Sequence, residues 1–348
     1  MRKTLFAALL PLLCLAAGPP QADEDGPLGR HGALLLPKSD PEPGKLRVRF
    51  MGVSTLLFEE DGKSILIDGF FSRPKNLVGI IKPKDDRIQD ALGKADVREL
   101  LAVIVAQSHY DHALDSATIA KARCATLVGA ASTISLGRAA GIGEGKLQPV
   151  AGGERFDSEF KPFKLEVLKA RHGFPNLFQG KFDAVEKMPN RVWEFRGDAT
   201  FSFLVGHGDF TMLVHPGSNY RRDRKRGGRP GDTKPVKADV VFLGIGVLGW
   251  RSEHFIEKYW DAVVRSSGAC LVIPIHWDKF RRPLDKGLVP APGFSRAMKL
   301  IKKRAKADGR TLRLMPLYDP VDIGAAVAEA KTNVGRDGKS CEAQSAAT

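Results

Sequence analysis

The sequence predicts an α/β fold, a four-layer αβ/βα sandwich. Three features predict it: a run of strands over residues 45–71, alternating helix and strand from about residue 97 to 140, and a second succession of strands followed by alternating units up to about residue 318. Strands followed by alternating units, twice over, make two sheets that can pack face to face with helices outside. In such folds ligands sit where the strands end.

The elements follow in chain order. Arg2 and Lys3 precede an apolar run, Leu5 to Ala17, too short to span a bilayer as a helix. Small residues follow, so residues 1–22 read as a secretory signal and the mature chain is expected to be periplasmic or secreted. Residues 23–44, rich in Pro, Gly and charge, read as a flexible lead-in. Leu46, Val48 and Phe50 then alternate with polar residues, and "STLLFEE" and "SILIDGFF" flank the turn Asp61-Gly62-Lys63. Residues 72–98 read as a polar surface excursion. The strand "AVIVAQ" comes next, then a helix near 117–122, the strand "ATLVGA" and a helix over 132–140 that stops at Gly141. "FKLEVLKARHG" is a strand, and residues 174–199 form a long segment containing Phe178 and Trp193. "TFSFLVGHGDFTMLVHPGS" is a hairpin turning at Gly206 to Asp209. "ADVVFLGIG" is a buried strand, 253–266 a helix, "ACLVIPIHWD" a strand, 294–307 a basic amphipathic helix and "TLRLMPLYDP" a last strand. One domain is expected over 45–327, with a disordered tail over 328–348.

The formal net charge is +14. Such a balance favours anionic partners, either a small or lipid-like substrate or an anionic membrane or envelope surface met peripherally. No zinc-finger, helix-turn-helix or RNA-recognition pattern accompanies it, so no specific nucleic acid is expected. Beyond the signal stand Cys124, Cys270 and Cys341. An odd number gives no disulfide framework. Cys270 reads as a buried small hydrophobe and Cys341 as an exposed tail residue, while a Cys124–Cys270 bond is left open.

The chemistry concentrates in "VIVAQSHYDHALD", residues 103–115. A short apolar strand runs into His109, Asp111 and His112. His172 and His276 also fall at the ends of expected strands, as does His215. A lone histidine at a strand end is more often structural than a ligand. Five placed alike, one pair with a carboxylate between them, point to a metal site, because imidazole and carboxylate together suit zinc or a similar divalent ion.

These stretches, together with "GVSTLLFEEDGKSILIDGFFS", "ARHG", "LVHPGS" and "IPIHWDKFRRPL", make the chain resemble the metallo-β-lactamase-fold hydrolases over about residues 45–320. It is closer to their broad branch than to the antibiotic-degrading enzymes. The resemblance implies one metal site on Gln107, His109 and His172 and another on Asp111, His112 and His276. It places Ser218 where a bridging aspartate usually stands, and Asp68 where a buried aspartate supports the site. Gln107 and Ser218 depart from the pattern: the first replaces an imidazole by an amide, the second a bridging charge by a hydroxyl. His215 is either a partial compensation or a group behind the ligands. One or two Zn²⁺ ions are implied, or another divalent ion.

The expected activity is that of an exported metal-dependent hydrolase of ester-like bonds. A metal-activated hydroxide would attack, with Asp111 as the catalytic residue that holds the metal and orients the water. A phosphodiester or phospholipid-type substrate is favoured by the charge, with Arg221 and Arg222 in "YRRDRKRGGRP", and Arg281, as candidate anion contacts. The rival expectation is a catalytically weak or inactive protein of this fold that binds an anionic envelope component.

Overall fold

The structure is a computed structural model that describes residues 28–40, 42–173, 175, 177–181, 187–220, 236–336 and 338–341. The expected signal at 1–22 and the Arg221 and Arg222 expectations lie outside the described residues.

The N-terminal half contributes β1 (Arg47–Phe50), β2 (Leu56–Glu60), β3 (Lys63–Ile67), α1 (Asp85–Lys94), β4 (Glu99–Ile104), α2 (Tyr110–Ala113), α3 (Ser116–Ala122), β5 (Thr126–Gly129), α4 (Ala131–Ala139) and β6 (Leu147–Pro149). The C-terminal half contributes β7 (Arg155–Phe160), β8 (Phe163–Lys169), β9 (Phe201–His207), β10 (Phe210–His215), β11 (Val240–Gly244), α5 (Glu253–Trp260), β12 (Leu271–Ile275), α6 (Phe294–Ala307), β13 (Thr311–Leu312), β14 (Val321–Asp322) and α7 (Ile323–Lys331). Two seven-stranded sheets result, ordered β14-β1-β2-β3-β4-β5-β6 and β13-β12-β11-β10-β9-β8-β7. In each sheet antiparallel hairpins pass into parallel strands, β3 to β6 in the first and β10 to β13 in the second. This is the expected sandwich.

Side-chain alternation places the core. Leu56, Phe58, Ile65 and Ile67 share one cluster with Phe203, Val205, Met212 and Val214 of the other sheet. Leu57 and Leu66 point the other way, onto Ile88 and Leu92 of α1, Ile119 of α3 and Ile134 of α4. A strand covered on both faces reads as an unbroken apolar run, which is why "STLLF" and "AVIVA" lack a polar face.

Four expectations are corrected. Within the lead-in, residues 28–40 pack onto the domain: His31 is buried against Phe294, and Leu36 N–H donates to Leu314 O. The triple Leu34-Leu35-Leu36 outweighs the polar surroundings. The excursion over 72–98 contains α1, whose Ile88, Ala91 and Leu92 are buried. The described part of the tail is tied down, since α7 runs to Lys331 and Cys341 is fully buried in a disulfide with Cys270. Cys124 is free and exposed, so the Cys124–Cys270 bond does not form. No helix among the described residues is long and apolar enough to cross a membrane.

Candidate metal centre

The candidate ligands stand where strands give way to loops at one edge of the sandwich. Asp68 follows β3, His109 precedes and His112 lies within the single helical turn after β4, His172 follows β8 and His276 follows β12. Asp68 and His276 both adopt left-handed backbone (φ 57°), a conformation that a side chain other than glycine holds only when its surroundings fix it.

For Asp68 and His112 those surroundings are polar and dry. The Asp68 carboxylate is fully buried and accepts the Ala106 N–H at 2.7 Å on one oxygen. Its other oxygen meets Ser54 Oγ at 2.5 Å and His112 Nδ1 at 2.7 Å. The Ser54 hydroxyl is itself 3.0 Å from His112 Nδ1. A buried carboxylate beside Nδ1 holds the proton there, so the lone pair of His112 lies on Nε2. That nitrogen is buried and has no hydrogen-bond partner. It faces Asp111 Oδ2 at 3.8 Å, and His276 Nε2 stands 3.4 Å from the same oxygen. Donors about 2 Å from one tetrahedral ion stand roughly 3.3 Å apart, so these three side chains fit a divalent ion. Burial acts to raise the Asp111 pKa, but His112, His276 and His109 outweigh it and hold the carboxyl well below its usual range. Burial likewise opposes charge on His112, and Asp68 and Asp111 outweigh it and raise that imidazole.

His276 is held from behind. Its N–H donates to Val53 O at 2.5 Å. The Val53 N–H donates to Asp278 Oδ1 at 2.7 Å, and Asp278 Oδ2 pairs with Arg73 Nη1 at 2.6 Å. Both charged groups are buried. Gly246 leaves room for the ring, since a Cβ there would lie 2.6 Å from His276 Nδ1.

The other half is put together differently. His109 Nδ1 lies 3.0 Å from His172 Nε2, with the rings edge to face. His109 Nε2 meets Phe178 O at 3.3 Å, and His172 Nδ1 is buried without a hydrogen-bond partner. Burial lowers the pKa of both, that of His172 to about 4, so both are neutral at pH 7. Gln107 Oε1 accepts the Thr200 hydroxyl at 3.3 Å. Ser218 is buried next to the His172 turn: a Cβ on Gly173 would lie 3.7 Å from its nitrogen. Among the described residues, Asp111, His112 and His276 are a set of three whose ligand atoms come within 4.8 Å of one another; His109 and His172 are a pair.

His215 lies behind this half. Its Nδ1 meets Ser202 Oγ at 2.6 Å and its Nε2 meets Asn219 O at 2.8 Å, so both nitrogens are spent and the weak-ligand alternative falls away. Asn219 Nδ2 in turn donates to His172 O at 2.7 Å. Arg281 is exposed, close enough to Tyr110 to act on it electrostatically, and makes no contact with the ligand set. A cleft of about 420 Å³ opens beside His172, lined by Arg171, Gln179, Asp198, Asn219 and Arg251. Ser54, Val53, Asp278, Arg73 and Asn219 support the site without any sequence signal of their own.

No family model matches the chain, and no curated protein matches it. Three solved structures illustrate what it is similar to. Igni18, a metallo hydrolase from Ignicoccus hospitalis, is 15% identical, with 80% of this chain and 97% of that one covered at a TM-score of 0.49. The metallo-β-lactamase fold protein YhfI from Bacillus subtilis is 12% identical, with 79% and 98% covered at 0.45. Zn²⁺-bound PqqB from Methylobacterium extorquens is 12% identical, with 77% and 86% covered at 0.45. Two mixed sheets face to face, with the histidine-bearing strand ends at one edge, give this chain an αβ/βα sandwich.

Proposed function

We propose that the chain is a metal-dependent hydrolase of ester-like bonds with one principal ion site on Asp111, His112 and His276. The observation that carries the reading is the buried, unpartnered Nε2 of His112, locked as a lone-pair donor by Asp68 and facing a carboxylate and a second imidazole. Two imidazoles and one carboxylate favour zinc and leave a coordination position open. An ion bound there supplies a Lewis acid and acidifies a water. Asp111, ionised at neutral pH, holds its remaining lone pairs toward the pocket and orients that water. His172 stands on that side, paired with His109 and lining the adjoining cleft. Arg171 and Arg251 in the adjoining cleft suit an anionic group, which favours a phosphodiester or phospholipid-type substrate. Export belongs to the same reading and rests on residues 1–22.

Hydrolysis of an aryl phosphodiester and of an aryl carboxylate ester by purified protein tests it. Activity should vanish on chelation, return with zinc, and be absent in His112→Ala. Unchanged turnover after exhaustive metal removal would end the hydrolase reading as stated. Metal binding with no turnover of either ester would favour the rival of an anion-binding protein.

A further inference from the structure

Six of the large apolar side chains left exposed among the described residues lie on three loops around the centre. Val78 (77% exposed) and Ile80 lie between β3 and α1. Leu177, Phe178 and Trp193 lie between β8 and β9, and Trp250 (68% exposed) lies between β11 and α5. Scattered exposed hydrophobics need no explanation, but a group on neighbouring loops marks a contact surface.

The loops are held in place. The Ile81 N–H donates to Asn190 O at 2.8 Å, and Arg191 Nη1 donates to Val78 O at 3.0 Å while its guanidinium lies over the Trp193 ring. Gly197 N–H donates to Phe178 O at 3.0 Å, and that carbonyl also meets His109. Gln179 and Arg251 line the same cleft, so the loops that carry Phe178 and Trp250 both border it.

The charge around these tips is net basic. Residues 74–86 and the described residues of 177–198 carry Lys75, Lys82, Lys84, Lys181, Lys187, Arg191 and Arg196 against Asp85, Asp86, Glu194 and Asp198. Glu194 is occupied by the Asn190 and Arg191 backbone N–H groups. Apolar tips on a basic shoulder suit an anionic bilayer: aromatic and aliphatic groups enter the acyl boundary and lysines meet the headgroups. A soluble anion would make no use of Val78 or Ile80.

We propose that this face seats on an anionic lipid surface and that the cleft beside His172 opens onto it. A lipid-borne ester would then reach the centre without crossing water. That last step rests on the hydrolase reading; the docking does not.

The test uses the full chain, as purified and metal-depleted, with vesicles of phosphatidylcholine alone or mixed with phosphatidylglycerol. Partition should favour the mixed vesicles and be the same in both metal states, so a failure of the hydrolase reading leaves this result intact. Brominated acyl chains should quench tryptophan fluorescence. Trp260 and Trp277 are buried in the core, so quenching reports Trp193 and Trp250. Val78→Ser with Ile80→Ser should weaken partition about tenfold. Unchanged thermal unfolding of the variant would separate that loss from misfolding. Absence of partition, or partition abolished by salt, unquenched and indifferent to the double substitution, would overturn the proposal. So would a change in oligomeric state by the double variant with no change in lipid binding, which would make the face a protein interface.

Discussion

On one side of the pocket His112 is gripped by Asp68 and Ser54, and His276 is pinned through Val53 to a buried Arg73–Asp278 pair. On the other, His109 and His172 lean on each other, Gln107 turns to Thr200, and the nearest support, His215, acts one layer back through Asn219. The first half spends buried charge to hold lone pairs apart and ready. The second lets two neutral imidazoles satisfy one another. Preorganisation, more than ligand count, separates a site that holds an ion from one that relaxes without it.

The largest expected effect comes from breaking the first half's anchor. Asp278→Ala leaves Arg73 charged and unpaired in the core and should destabilise the fold by about 3–5 kcal/mol. Urea unfolding measures it, and a loss under about 1 kcal/mol would show that Arg73 reaches water or another partner. His215 tests the second half through pH. Burial lowers its pKa from 6.5 to about 4 in the folded state. Neutral His215 therefore stabilises the fold above pH 6.5. As pH falls from there to about 4, the unfolded chain takes up a proton that the folded one refuses, and about 3 kcal/mol is lost. His215→Gln should flatten the dependence of unfolding free energy on pH over that interval; an unchanged slope would assign the acid sensitivity elsewhere. Asp68→Ala removes the acceptor of Ala106, Ser54 and His112 and should cost about 1–3 kcal/mol of stability. It should also weaken zinc binding roughly 10- to 100-fold, as measured by competition with a chelating dye. Equal zinc affinity in the variant would mean that Ser54 alone can orient His112.

Much of this centre is legible in the chain because strands buried on both faces read as apolar runs, and a histidine at the end of such a run stands out. His109, His112, His172 and His276 are found that way, and the departure at Gln107 is visible only against the pattern that the resemblance supplies. The supports are not. Ser54 acts on His112 from 58 residues away and Asp278 on Val53 from 225, and side-chain hydrogen bonds over such separations leave no periodicity. His215 could not be told from a ligand because its commitment depends on Ser202 and on the Asn219 backbone. The Cys270–Cys341 bond spans 71 residues and ends in a segment whose Ala-rich composition reads as solvated. The helix α1 begins in the charged residues Lys84 to Arg87, which mask the buried Ile88, Ala91 and Leu92.

Metal content per chain, read by elemental analysis across a small set of variants, tests the central claim most directly. The wild type should hold close to one ion. His172→Ala should keep it, and His276→Ala should lose it. Gln107→His with Ser218→Asp should move the count toward two, because an imidazole and a bridging charge are restored. Two tightly held ions in the wild type, or an ion that survives His276→Ala and is lost in His172→Ala, would contradict the account.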